Sequence, residues 1–320
     1  MADFLQQLVN GLALGAIYAL IALGYTMVYG VLRFINFAHG DILMLGAFAG
    51  WGFCELLQKT DADGNVSPRF ASWDWLNQPG WPKFIIVLLF AMAICALLGM
   101  AIERFAYRPL RSRPKITVLI TAIGVSLLIQ TLAQICFGAT NKSFPVLIEH
   151  DPVTFACGEE EVIIEYIQMI ILVITPLLLG ILTWLVMGTK TGLAMRALSL
   201  NPTATALMGV DNNKVISRTF ALGSALAAAG GILYALYAPS IDPQMGVMPG
   251  LKAFAAAVLG GIGSLAGAAL GALILGLTET WVGASEDFSQ WKDAIAFAVL
   301  ILVLLFKPTG LLGRSDKEKV

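Results

Sequence analysis

Residues Ile35-Asn36-Phe37-Ala38-His39-Gly40-Asp41 place an amide, an imidazole and a carboxylate at the head of a long apolar run. Such groups are expensive at membrane depth, so they mark either a polar pathway or a contact that holds helices together. Asn36, His39 and Asp41 therefore have three readings. They line a translocation path; or they start and pack a helix, with Asp41 meeting orphan N–H groups of the first turn; or His39 relays protons. The relay is disfavoured, because it needs further ionisable partners within the apolar runs.

A second feature is Leu259-Gly260-Gly261-Ile262-Gly263-Ser264-Leu265-Ala266-Gly267. Gly261, Gly263 and Ala266 fit the dinucleotide fingerprint by spacing alone. That fingerprint requires a preceding strand, a later acidic residue and a soluble βαβ setting. Apolar sequence surrounds it instead, so a discontinuous membrane helix is the better reading. Such breaks turn backbone N–H and C=O groups toward a central cavity, which makes Gly261, Gly263 and Ser264 further path candidates. The breaks near 35–41 and 260–267 are candidate corresponding points of an inverted repeat.

The third feature runs from Thr189 to Val210. It is less apolar than a span and reads as two short helices. Asn201 suits an N-cap, Pro202 the first helical turn and Gly209 a helix end. A pair of small-residue helices can dock another protein; the plainer alternative is a surface loop.

Several chemistries are absent from the sequence. It has no GxxxxGK[ST], no HExxH and no GxSxG, so no catalytic residue, bound metal or ATPase motif is expected. Basic clusters interleaved with aromatics are missing too, which excludes nucleic acid. Cys54, Cys95, Cys136 and Cys157 form no CxxC pair; free thiols are the simpler expectation, with a Cys54–Cys157 bridge as the alternative.

The elements that position these residues follow from composition. Of 320 residues, 58% are hydrophobic and only 13% charged, with mean hydropathy +0.80. A soluble domain carries about 25% charged residues, so this surface suits lipid. Apolar runs fall at roughly 5–30, 35–54, 83–103, 116–138, 162–187, 216–238, 251–278 and 291–306. The expected fold is an all-α polytopic transmembrane helix bundle of about eight or nine crossings, a single membrane domain over 1–320. Gly11/Gly15, Gly46/Gly50 and Gly267/Gly271 repeat at the four-residue spacing that lets helices approach closely.

Charge orients the bundle. Thirteen of the 20 Lys and Arg lie in 104–115, in 188–218 and from Lys307 to the end. Short basic connections stay cytoplasmic, so these stretches and the C-terminus are expected inside. The connections 55–82 and 139–161, and the N-terminus, are expected outside. Trp51, Trp73, Trp75 and Trp81 fit the outer interface. Met1-Ala2-Asp3-Phe4 lacks a basic signal-peptide start, so the first run is expected to be retained. Parity then favours two passes, or a re-entrant pair, within 251–278, broken near Gly260–Gly263, with Glu279, Glu286 and Asp287 in an outer loop.

At these residues the chain resembles the LivH family of branched-chain amino acid ABC permeases. The resemblance rests on Gly15–Gly30, Ile35–Asp41, Glu103-Arg104 with Tyr107–Arg111, Gly192–Gly209, Lys252–Gly271 and Pro308–Arg314. It is weakest in 55–82 and 139–161. It implies an importer in the bacterial inner membrane, with a second homologous permease and a periplasmic or lipid-anchored binding protein. Two separate cytoplasmic ATPases would bind the ATP, this chain holding no cofactor. The family's ATPase-coupling signature maps onto Gly192, Arg196, Ala197, Asn201, Ala204, Ala206 and Gly209 within a coupling loop at about 188–215. Leucine, isoleucine and valine are the implied substrates; relatives that carry urea, amides or other amino acids keep the alternative open. A stand-alone secondary transporter or channel is the competing class.

Overall fold

In lipid a backbone polar group finds no water, so an apolar run closes its own hydrogen bonds as a helix. The computed structural model of this chain follows that rule. It describes residues 2–60, 66–68, 76, 78–111, 113–157 and 160–313. The helices are α1 (Ala2–Leu32), α2 (His39–Leu57), α3 (Trp81–Ile102) and α4 (Lys115–Phe137). There follow α5 (Tyr166–Gly188), the short α6 (Lys190–Leu200) and α7 (Pro202–Leu207), and α8 (Asn212–Tyr237). The last are α9 (Val247–Gly260), α10 (Leu265–Gly283) and α11 (Lys292–Phe306). Among the described residues, 8 helical stretches are long and apolar enough to cross a bilayer; α9, of 14 residues, is shorter. Three two-stranded pairings decorate the connections: β1 (Gln58–Thr60) with β2 (Val66–Pro68), β3 (Lys142–Ser143) with β6 (Ser240–Ile241), and β4 (Val153–Cys157) with β5 (Glu160–Ile164).

Helix α1 is buried along most of its length and packs against α10, α8, α9 and α5. Glycines make that closeness possible. A Cβ on Gly15 would lie 2.8 Å from the Leu273 Cα, and one on Gly11 2.9 Å from the Leu277 Cα. Gly46 sits equally tight on Ala228, so the four-residue glycine spacings are packing faces. Helices α4, α5 and α11 lie outermost, with Leu128, Ile135, Leu177 and Leu305 exposed. Lipid is the medium in which such a surface is at rest.

The basic and acidic connections separate to opposite ends. At one end the Tyr107 hydroxyl donates to Asn36 Oδ1 and Arg111 Nη1 donates to Asn213 Oδ1, joining the connections before α2 and α4 to the first turn of α8. Arg111 also pairs with buried Glu103. Burial lowers the Arg111 guanidinium from its usual range. At the other end Gln6 Nε2 donates to the Ile163 carbonyl, Phe4 stacks on Trp281, and β3 pairs with β6. Trp73, Trp75, Glu159, Arg314, Lys317, Lys319 and the side chain of Cys157 lie outside the described residues. Cys54, Cys95 and Cys136 are free thiols, so Cys54 is not bridged.

The expected break in 251–278 is present: α9 ends at Gly260, Gly261 has φ 106°, and α10 starts after Ser264. The two helices form an antiparallel hairpin in which Gly260 meets Gly267 and Gly271 meets Ala256. One expectation is corrected. Glu279 does not stand in an outer loop; α10 continues through it to Gly283, and the carboxylate is buried. The hairpin carries Lys252 alongside, with Nζ 2.6 Å from Glu279 Oε1 and 2.7 Å from Asp293 Oδ1. The Tyr18 hydroxyl donates to Glu279 Oε2 at 3.0 Å. This cluster ties α1, α9, α10 and α11 together by compensating a buried charge. Lys252→Met leaves Glu279 buried without its cation and is expected to cost about 3–5 kcal/mol. The check is thermal unfolding of the detergent-purified protein; an unchanged midpoint would contradict this role.

Candidate functional site

The two helices that begin inside the bundle meet at their starts. Asn36 O accepts the His39 N–H at 3.1 Å, which closes the turn that launches α2. Gly246 O accepts the Gly250 N–H at 2.9 Å in the first turn of α9. Between them the backbones touch: a Cβ on Gly250 would lie 2.8 Å from the Gly40 Cα. Larger residues on either side would force the two helix starts apart. Helix starts favour negative charge, and Asp41 lies in the first turn of α2.

Beside this contact lies a cavity of about 200 Å³, walled by α1, α2, α4 and the start of α9. Its polar lining is Tyr25, Asp41, Ser126 and Gln130. The apolar lining includes Ile123, Leu127 and Leu251. Asp41 is 3% exposed. Gln130 Nε2 donates to Asp41 Oδ1 at 2.8 Å and to Ser126 Oγ at 3.2 Å. Asp41 Oδ2 is buried and has no hydrogen-bond partner among the described residues.

The other sequence candidates lie elsewhere. Asn36 is buried, with Oδ1 accepting from the Tyr107 hydroxyl at 2.5 Å and Nδ2 unpartnered among the described residues. His39 is buried edge-on against Tyr25 at 4.6 Å, and its Nε2 has no hydrogen-bond partner among the described residues. Its ring occupies the space that the missing side chain of Gly24 leaves. Neither lines the cavity, although His39 backs its Tyr25 wall. Gly261, Gly263 and Ser264 make the turn between α9 and α10, where Ser264 Oγ accepts the Gly267 N–H at 3.1 Å. The segment after α11 covers this turn: Leu311 N–H donates to Leu259 O and Leu312 N–H to Gly260 O, each at 2.9 Å. Thus Gly40 of the 35–41 break packs on the start of α9, while Ile35 lines a small second cavity together with Ile262 of the glycine turn. Tyr25, Ser126 and Gln130 were not singled out from sequence. The only prior signal for the last two was a polar pair at spacing four inside an apolar run.

At the basic end α6 and α7 form a capped helix pair. Thr189 Oγ1 accepts the Gly192 N–H at 3.1 Å, and a Cβ on Gly192 would strike the carbonyls of Leu185 and Val186. Arg196 Nη2 donates to Met187 O at 3.3 Å. Ala197 O accepts the Asn201 N–H, Ala204 O that of Met208, and Ala206 O that of Gly209. Asn201 Oδ1 accepts the N–H groups of Thr203 and Ala204, each at 3.0 Å. Gly209 has φ 82°, where a side chain would be strained. Asp211 caps α8, and the Lys214 N–H bonded to its carboxylate holds it below the usual range. These residues build the frame; Leu200, Leu207 and Met208 project from it, each more than 80% exposed.

The profile of the family described as branched-chain amino acid transport system / permease component matches residues 7–304. The chain is 41% identical over 320 residues to the high-affinity branched-chain amino acid transport system permease protein BraD of Pseudomonas aeruginosa, across 99% of this chain and 98% of that one. It is 38% identical over 317 residues to the corresponding permease protein LivH of Escherichia coli, with the same coverage of 99% and 98%. A solved chain of PsaBC from Streptococcus pneumoniae, in complex with Fab, aligns at TM-score 0.47 and 13% identity, covering 94% of this chain and 91% of that one.

Asn201→Ala removes both N–H contacts at the start of α7 and is expected to cost about 1 kcal/mol there. Amide exchange across 202–208 should quicken while that of α8 holds; equal protection with and without Asn201 would contradict the capping role.

Proposed function

Because the chain belongs to the family of branched-chain amino acid transport system permease components, we propose that it is a transmembrane subunit of an ATP-binding-cassette importer for leucine, isoleucine and valine. It forms one membrane domain and pairs with a second, homologous permease. Two cytoplasmic ATPase subunits hydrolyse the ATP, since this sequence has no GxxxxGK[ST] loop. A periplasmic or lipid-anchored binding protein delivers the substrate. The basic end faces the bacterial cytoplasm, with the C-terminus there and the N-terminus outside.

The single observation that carries this reading is the capped pair α6–α7. Leu200, Leu207 and Met208 stand exposed on it at the basic end, outside the apolar spans. Lipid does not account for exposed apolar groups on that pair, whereas a protein surface does. Closure of the ATPases would push on this pair and, through α5 and α8, rock the bundle around the cavity beside Gly40 and Gly250.

The test is gentle extraction of the tagged chain from its native membrane. A second permease and P-loop ATPases are expected to co-purify. Leu207→Asp with Met208→Asp places two charges in the contact and should cut ATPase recovery at least tenfold, about 1.4 kcal/mol or more. Undiminished ATPase recovery would remove the docking role. Leucine flux from the chain alone, without ATP, would replace the importer with a secondary transporter.

A further inference from the structure

We propose that Asp41 binds the ammonium group of the transported molecule, so that the cavity selects zwitterionic aliphatic amino acids over urea and neutral amides. This rests on the importer reading and deepens it.

Asp41 is buried, one carboxylate oxygen is held by Gln130, and the other has no hydrogen-bond partner among the described residues. No ion pair to Asp41 occurs among the described residues. The contrast with the rest of the bundle is plain: Glu103 has Arg111, and Glu279 has Lys252. A buried carboxylate without a cation is strongly disfavoured, and pairing removes the penalty. An arriving ammonium brings both the charge and the N–H donors that Asp41 lacks. Urea and amides donate hydrogen bonds but bring no charge.

The remaining lining suits the rest of an amino acid. Gly40, Gly246 and Gly250 line the cavity where the starts of α2 and α9 pack backbone to backbone. Helix starts favour anions, as a carboxylate requires. Ile123, Leu127, Val247 and Leu251 offer an apolar wall for the aliphatic side chain. At about 200 Å³ the cavity suits one small solute; drug-sized ligands occupy roughly 300–1,000 Å³. Gln130 orients the carboxylate through Oδ1, and Oδ2 is buried without a partner among the described residues.

The experiment uses the complete importer in liposomes, with leucine as the probe. Uptake is expressed as leucine moved per ATP hydrolysed. Asp41→Asn keeps the shape and removes the charge; the ratio is expected to fall about tenfold or more. Asp41→Glu retains the charge and should recover part of the loss. Should neither variant assemble, Leu127→Trp decides, because it fills the cavity from the outermost wall and is expected to lower the ratio as far. A wild-type ratio in Asp41→Asn, or in Leu127→Trp where the Asp41 variants do not assemble, overturns the assignment of Asp41 and leaves the importer standing. Absence of ATP-dependent leucine uptake by the unmodified complex overturns the importer itself, and the assignment with it.

Discussion

Inside the hydrocarbon layer an interrupted helix must find bonding partners within the protein, because the solvent supplies none. Every break in this bundle meets that demand in its own way. The turn before α2 closes through Asn36 and His39, with Tyr107 bonded to the Asn36 side chain. The glycine turn after α9 borrows the N–H groups of Leu311 and Leu312. The connection ahead of α9 is fixed by the pairing of Ser240–Ile241 with Lys142–Ser143. Glycine is what permits these arrangements, by letting α1 lie on α10 and the start of α2 on the start of α9. The cavity exists because two helix starts are held against each other within the bundle.

Charge is treated with the same economy. Arg111 with Glu103 and Lys252 with Glu279 and Asp293 are ion pairs at helix contacts, where they hold neighbouring elements together. Asp41 is the buried carboxylate that stands apart, held on one side only and lining open space. A protein built for lipid tolerates such a group where a ligand or a conformational change completes it. The asymmetry between these clusters separates scaffold from candidate site.

Much of this organisation was legible in the sequence, for identifiable reasons. Apolar runs of about 20 residues mark the spans. The distribution of Lys and Arg, combined with parity, placed a break at Gly260–Gly263, and α9 and α10 divide there. Asn201, Pro202 and Gly209 announced the α6–α7 pair through capping chemistry that needs no tertiary context. Glu279 was misplaced because a carboxylate near the end of an apolar run looks like the start of a polar loop. Only the hairpin brings Lys252 beside it, across a contact that local sequence does not encode. Gln130 and Ser126 were missed for a related reason. Lipid-facing helices are apolar on most sides, so periodicity does not reveal which face meets Asp41. Asn36 and His39 share a motif with Asp41, yet two residues along a new helix separate a packing role from a lining role.

In the proposed importer the cavity beside Asp41 is the route through the bundle, opened alternately to the two sides. A Leu127→Cys substitution places a thiol on its wall, with exposed Cys136 and also Cys157 changed to serine and Cys54 and Cys95 left buried. The direct measurement is labelling of that thiol by a membrane-impermeant reagent, from each side, in the resting complex and in the ATP-trapped complex. The account predicts that the reactive side switches with the ATP state. Labelling from one side in both states, or from neither, would contradict it.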